Sequence, residues 1–340
     1  MRDQRSGHDA QAGTSPHGRP AGRGERPIGF FLAPDFSMLP FISAIEPLRV
    51  ANRLAGRALY SWHVFSIDGA PVAPTSGIEV AAEAAIDSIT RFPVVIVCGP
   101  HDPKHYREER VFAWLRRLAK QGTELGALDT GSYLLARARL LEGRRCTTHW
   151  ETIPGFREAF PSLEVTSELF ELDRGRFTCG GGTAALDMML TRIAAEQGRT
   201  LATAVSDMFL HEVIREAGAP QRMSLRVRTG VSQPRLLEAL RLMESHIEQP
   251  LLPEDLARCI GVSKRQLERL FRRHLGATPS QHYMRLRLEH GRRLLEQTAL
   301  PIVEVALACG FASPGHFSHR FRTLFGCAPR EARGPGGRGS

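Results

Sequence analysis

No run of apolar residues in this 340-residue chain reaches the length of about eighteen that a bilayer-spanning helix needs. Residues 1–26 are rich in Gly, Arg and Pro but hold no apolar signal core, so they read as a disordered tail, and a cytoplasmic protein is expected, with no membrane partner. The six cysteines include no C-x-x-C pair and lie mostly in apolar stretches, as reduced, buried thiols do. His63, His101, His105, His149 and His211 are scattered without metal-ligand spacing, so neither a metal nor a cofactor is expected.

What the chain does have is a pattern written twice near its C-terminus. Leu256-Ala257-Arg258-Cys259-Ile260-Gly261-Val262-Ser263 returns as Val305-Ala306-Leu307-Ala308-Cys309-Gly310-Phe311-Ala312-Ser313. The match continues from Leu267, Phe271, Leu275, Gly276 and Pro279 to Phe317, Phe321, Phe325, Gly326 and Pro329. Each copy reads as a helix-turn-helix, and such self-similarity marks duplicated supersecondary units. The charge agrees. Residues 27–232 balance, whereas residues 233–340 carry 17 basic against 10 acidic side chains, most of the net +9. The excess is nearly all arginine, the side chain suited to phosphate and guanine contacts.

The neutral body alternates strand and helix signals, as a parallel α/β domain does. Ile28–Leu32, Trp62–Ile67 and the β-branched run Val94–Cys98 read as strands, with helices over 38–54 and 106–121. Leu125–Leu128 then meets Asp129-Thr130-Gly131-Ser132 and passes directly into a helix over 133–141. Such a strand-turn-helix places its turn residue at the carboxyl edge of the sheet, where ligands bind. Asp129 at that turn reads either as an N-cap or as a ligand contact, since no base stands beside it in sequence. Gly180-Gly181-Gly182-Thr183 reads as an anion cradle or as close backbone packing, before helices over 183–197 and 201–216. A linker is expected over 217–233.

At this point the residues resemble a family. The C-terminal block resembles the AraC/XylS DNA-binding domain through Ser263, Leu267, Arg269-Leu270-Phe271, Thr278-Pro279, Arg287, Glu304-Val305-Ala306, Gly310-Phe311, Phe317 and Pro329-Arg330. The body resembles the PfpI-type, class I glutamine amidotransferase-like domain through Ala44-Ile45-Glu46-Pro47-Leu48-Arg49, Gly126–Ser132, His149-Trp150-Glu151 and Gly181-Gly182-Thr183-Ala184. The resemblance implies a flavodoxin-like parallel sheet sandwich over 27–216 and an all-α domain with two helix-turn-helix units over 234–332, followed by a disordered tail over 333–340. The stretch Glu46–Gly69 is most similar to regulators that sense glycine betaine, carnitine or arginine and switch on catabolic genes. The implied partners are promoter DNA, a small-molecule effector, RNA polymerase and a second copy of the chain.

Two departures bear on catalysis. Hydrolytic relatives carry cysteine where this chain has Asp129, and Pro100 stands where a backbone N–H serves an oxyanion. No catalytic residue is therefore expected. An amidase-like enzyme tethered to DNA, and a constitutive regulator whose body only dimerises, are the alternatives. The resemblance assigns Glu46 a place beneath the elbow, so Glu46 and Asp129 are expected to face one cavity, with Thr130 beside them. Two carboxylates so placed favour a cationic ligand. Trp150 offers such a ligand an aromatic face, or is a core aromatic, and His149 is a ligand contact or a structural hydrogen-bonder.

Residue-level expectations for DNA follow from helix geometry. Ser263 and Gln266 make a capping box, pointing Leu267, Leu270, Phe271 and Leu275 inward and leaving Lys264, Arg265, Glu268, Arg269 and Arg272 for DNA. Arg265, Glu268 and Arg269 match the family's groove positions, although Arg269 also reads as an ion-pair residue. In the second unit Ser313 caps a helix with Pro314 at its first position, and His316, His319 and Arg320 are the candidate contacts.

Overall fold

The structure, a computed structural model, describes residues 24–333, so the tails expected at 1–26 and 333–340 lie almost wholly outside the described residues. The chain divides into two compact units between Gln221 and Arg222. In the first, a seven-stranded sheet has the order β3-β2-β1-β4-β5-β9-β8. Its strands are β1 (Arg26–Leu32), β2 (Tyr60–Ser66), β3 (Ala84–Ala85), β4 (Val94–Cys98), β5 (Glu124–Leu128), β8 (Phe170–Asp173) and β9 (Arg176–Cys179). Strands β6 (Arg145–Cys146) and β7 (Glu164–Val165) form a separate parallel pair. Every pairing in the main sheet is parallel except β8–β9, a hairpin through Arg174-Gly175.

Alternation along the strands divides the core into two layers, because successive side chains point to opposite faces. Ile28, Phe30 and Leu32 of β1 pack with helices α1 (Met38–Ala55), α5 (Ala184–Gln197) and α6 (Arg199–Met208) on one face. Phe31, Val95 and Val97 pack on the other face with α2 (Glu109–Lys120) and α3 (Gly131–Arg137), and α4 (Ile153–Ala159) adds Phe156 there. The result is a flavodoxin-like α/β sandwich, with β4, and β1 from Ile28 onward, buried on both faces.

Helix α6 is shorter than its apolar pattern suggests. It stops at Met208 because Leu210 adopts a left-handed φ of 54° while the Leu210 and His211 N–H groups bond back to Asp207 O and Ser206 O. That is a Schellman end with leucine in the place glycine usually takes. Nor is 217–233 free chain: the Gln221 side chain donates to Thr147 Oγ1, Thr148 O and Glu168 O at 2.8–2.9 Å, and Leu225 and Val231 pack in the second unit.

The second unit is all helical. α7 (Leu225–Thr229), α8 (Pro234–Ser245), α9 (Pro253–Cys259) and α10 (Lys264–Leu275) enclose a core built on Leu236, Leu240, Leu256, Leu267 and Phe271. α12 (Ile302–Ala308) and α13 (Pro314–Phe325) enclose a second core on Val305, Phe311, Phe317 and Phe321. α11 (Pro279–Gln297) belongs to both, giving Tyr283 to the first and Leu288, Leu294 and Leu295 to the second.

Candidate ligand pocket and nucleic-acid interface

The β5–α3 turn is a tight elbow. Asp129 takes a left-handed φ of 57°, its N–H donates to Cys179 O at 3.1 Å, and its carbonyl accepts from Thr148 Oγ1 at 2.9 Å. Glycines make the approach feasible: a Cβ on Gly131 would sit 2.2 Å from Val97 O, and one on Gly181 would sit 2.9 Å from Asp129 Cβ. Asp129 is not an N-cap. Thr130 holds that position on α3 without a side-chain cap bond, and its hydroxyl donates instead to Pro100 O at 2.7 Å.

Burial raises the Asp129 carboxyl above the ordinary aspartate range, and Glu151 adds to the rise. His149, His101 and a hydrogen bond from the Ser37 hydroxyl oppose it without cancelling it. Oxyanion chemistry finds little support here. Pro100 has no N–H, it is bridged to Phe36, and the next N–H, that of His101, is spent on Asp35 O at 2.9 Å.

Beside the elbow lies an open cavity of about 180 Å³, lined by His149, Trp150, Gly180–Thr183, Arg215 and Gln221 among others. The His149 and Trp150 rings stand 5.5 Å apart. The structure thus brings His149 and Trp150 together in one pocket, with Asp129 behind Gly181 and outside the lining. Glu46 is elsewhere, which corrects the expectation of two carboxylates facing one cavity. It sits on α1 paired with Arg49 at 2.6 Å, and it is not among the residues that line the cavity. Arg49 lies one helical turn along α1, on the same face as Glu46, so the carboxylate finds its partner within its own helix.

Sequence reasoning missed the ion pair that shapes this pocket, Asp187 with Arg215. Asp187, fully buried on α5, accepts from His211 Nε2 at 2.8 Å and from Arg215 N, Nε and Nη2 at 2.8, 2.9 and 2.5 Å. Arg215 Nη2 also donates to Thr183 Oγ1 at 2.8 Å, so the guanidinium is held over the start of α5. No local signal joins residues 183, 187, 211 and 215, although an aspartate on a buried helix face asks for a cation.

The second unit presents its charge differently. Ser263 and Gln266 form the expected capping box on α10, and Thr278 and Gln281 form another on α11 that sequence reading did not list. Leu267 and Phe271 are fully buried, whereas Lys264, Arg265, Arg269 and Arg272 are exposed and Glu268 is half-buried. Lys264 is paired with Glu254 at 2.6 Å. Among the described residues Arg265, Arg269 and Arg272 form no ion pair, which removes the ion-pair reading of Arg269 and leaves three unneutralised guanidiniums on one face. On α13 the Ser313 hydroxyl accepts from His316 N at 3.2 Å, Phe317 and Phe321 are buried, and His316, His319 and Arg320 are exposed.

Paired helix-turn-helix units with unpaired arginines on a capped second helix define a DNA-binding regulator, here joined to a flavodoxin-like domain. Comparison with known proteins agrees. Residues 256–334 match a helix-turn-helix domain, and residues 28–194 match the DJ-1/PfpI family. The chain is 44% identical to the HTH-type transcriptional regulator GbdR of Pseudomonas aeruginosa over 92% of its own length and 86% of GbdR. It is 46% identical to the HTH-type transcriptional regulator CdhR of that species, over 89% of this chain and 90% of CdhR. A solved AraC family regulator from Pseudomonas putida superposes with a TM-score of 0.50 at 28% identity, covering 54% of this chain and 99% of that one. The chain belongs to the AraC-type transcription regulators that carry an N-terminal DJ-1/PfpI domain.

Proposed function

We propose that this protein is a metabolite-controlled regulator, binding a small nitrogen-containing zwitterion or cation in its DJ-1/PfpI domain without converting it. The observation that carries the reading is the elbow: a carboxylate at Asp129, with no N–H at Pro100 and the His101 N–H spent on Asp35 O, favours binding over acyl chemistry. A quaternary amine or a basic amino acid suits the surroundings. Trp150 offers its ring to an onium or guanidinium group, worth about 0.5–2 kcal/mol, and the Asp129 carboxyl lies one glycine away. Arg215 and the N-terminal end of α5 suit the carboxylate of such a ligand. Function as a cytoplasmic homodimer that activates catabolic genes through RNA polymerase is part of the same proposal. The described residues include no helix long and apolar enough to cross a membrane.

Isothermal calorimetry of the full chain with glycine betaine, carnitine and arginine tests the ligand class. Binding of one of them, lost in Trp150→Ala while the protein stays folded, is the expected result. Absence of heat for all three, in protein that is folded and binds DNA, sinks it. Turnover of glutamine or a simple ester, abolished in Asp129→Asn, would instead favour the enzyme alternative.

A further inference from the structure

The two helix-turn-helix units have matching turns, and comparing them reveals one difference. Gly261 and Gly310 hold equivalent places, both left-handed, at φ 66° and 71°. A Cβ on Gly261 would meet nothing within 4 Å, whereas one on Gly310 would lie 2.6 Å from Pro250 Cδ, 2.7 Å from Ile247 O and 2.8 Å from Glu248 O. The second turn therefore rests on the loop between α8 and α9, which belongs to the first helix-turn-helix. Nothing equivalent supports the first turn.

Other groups close the same seam. Arg287 of α11 donates from Nε to Cys309 O at 2.7 Å and from Nη2 to Gly310 O at 2.6 Å, while its guanidinium lies 4.3 Å over the Phe311 ring. Phe311 packs against Phe317 at 5.2 Å, so the position of the turn is passed directly to α13. From the other side Tyr283 donates to His246 O at 2.6 Å and accepts from Leu251 N at 3.4 Å, which holds the receiving loop against α11. In the first helix-turn-helix the counterpart arginine, Arg235, makes one exposed bond, to Gly261 O at 3.1 Å.

We propose that this seam, with Gly310 docked on residues 247–250 and Arg287 bracing the turn, is a positioning lock that makes the protein select the spacing between two groove segments of its operator. The physical argument is rotational. Two cores that share one helix twist relative to each other when that helix bends, and a contact off its axis removes that freedom. Helices α10 and α13 then reach DNA at one separation and one phase, as two successive major grooves about 34 Å apart require. The inference rests on the reading that both helices enter grooves. Linking two contacts rigidly raises affinity by about 10²–10⁴ over either alone, and that gain is lost when the geometry does not match.

The test uses the full chain and a duplex selected by the wild type from a random library. Variants of that duplex then gain or lose 1–4 base pairs between the two protected groove segments. The wild type should bind the altered spacings at least tenfold more weakly. Gly310→Ala and Arg287→Ala should bind the selected duplex at least tenfold more weakly than the wild type and lose the preference between spacings. They should still bind a fragment holding only the α10 segment. Gly261→Ala supplies the control, because it carries the same backbone strain into open space and should keep the wild-type preference. Folding of each variant is checked by helical circular dichroism. Retention of the spacing preference in folded Gly310→Ala and Arg287→Ala overturns the lock, and so does equal flattening in Gly261→Ala. A wild type indifferent to spacing defeats the two-groove reading itself, which separates the two failures.

Discussion

Replacing Asp187 by Asn removes the charge that holds the pocket wall in place, and the structure sets the size of the effect. The carboxylate has 0% side-chain exposure and accepts four hydrogen bonds, three of them from Arg215. Asparagine keeps the shape but turns one acceptor into a donor that faces donors. Removing one partner of a buried pair costs about 3–5 kcal/mol. Arg215 retains 34% exposure and can rehydrate, which places the expected loss near the lower end, about 3 kcal/mol. For a domain of this size about 2–4 °C accompanies each kcal/mol, so the first unit should melt roughly 6–12 °C lower. The three tryptophans, Trp62, Trp114 and Trp150, all lie in the first unit, so their fluorescence reports its unfolding in the full chain. A cycle with Arg215→Gln should show coupling of about 0.5–3 kcal/mol, and hydrogen exchange at the Arg215 amide should accelerate. A loss below about 1 kcal/mol, or strictly additive variants, would refute the assignment of Asp187 as the anchor.

The remaining predictions concern the elbow and the recognition helix. Because burial raises the Asp129 pKa, the folded state holds that proton more tightly than the unfolded chain does. The cost to stability is therefore absent below the unfolded pKa and complete above the raised folded one. Asp129→Asn, which tolerates the left-handed backbone, should melt higher than wild type at pH 7, with the difference fading as pH falls through the carboxylate range. An equal or lower melting point at pH 7 contradicts the burial argument. On α10, Arg265→Ala should relax selectivity at one base pair by about 1–3 kcal/mol, whereas Arg272→Ala should weaken all sites alike. Competition binding across singly substituted duplexes checks this, and unchanged selectivity in Arg265→Ala would show that the register of the helix was misjudged.

The DNA-binding unit was the more legible half. Its signals are local: Ser263 with Gln266, Ser313 with Pro314, and the inward spacing of Leu267 and Phe271 or Phe317 and Phe321 all act within one helix. The α/β body was legible as alternating strands and helices, since β1, β4 and β5 are short apolar runs ended by Pro, Gly or Asp. Its pocket was not. Glu46 carried the right chemistry and was paired with Arg49 one helical turn away. Arg215 lies in a stretch whose helical pattern is cut short at Leu210.

The sequence by itself determined that this chain folds as an α/β domain followed by a duplicated helix-turn-helix, because periodicity, caps and turn glycines are properties of neighbouring residues. It also determined that the elbow bears a carboxylate and lacks an amide at Pro100, since those are matters of identity. Only the tertiary structure decided which groups meet. Asp187 finds Arg215 28 residues on, and Gly310 finds the 247–250 loop, through packing that brings distant backbone together. A buried charge takes whatever partner the fold delivers, and a turn glycine reveals its purpose only when something rests against it.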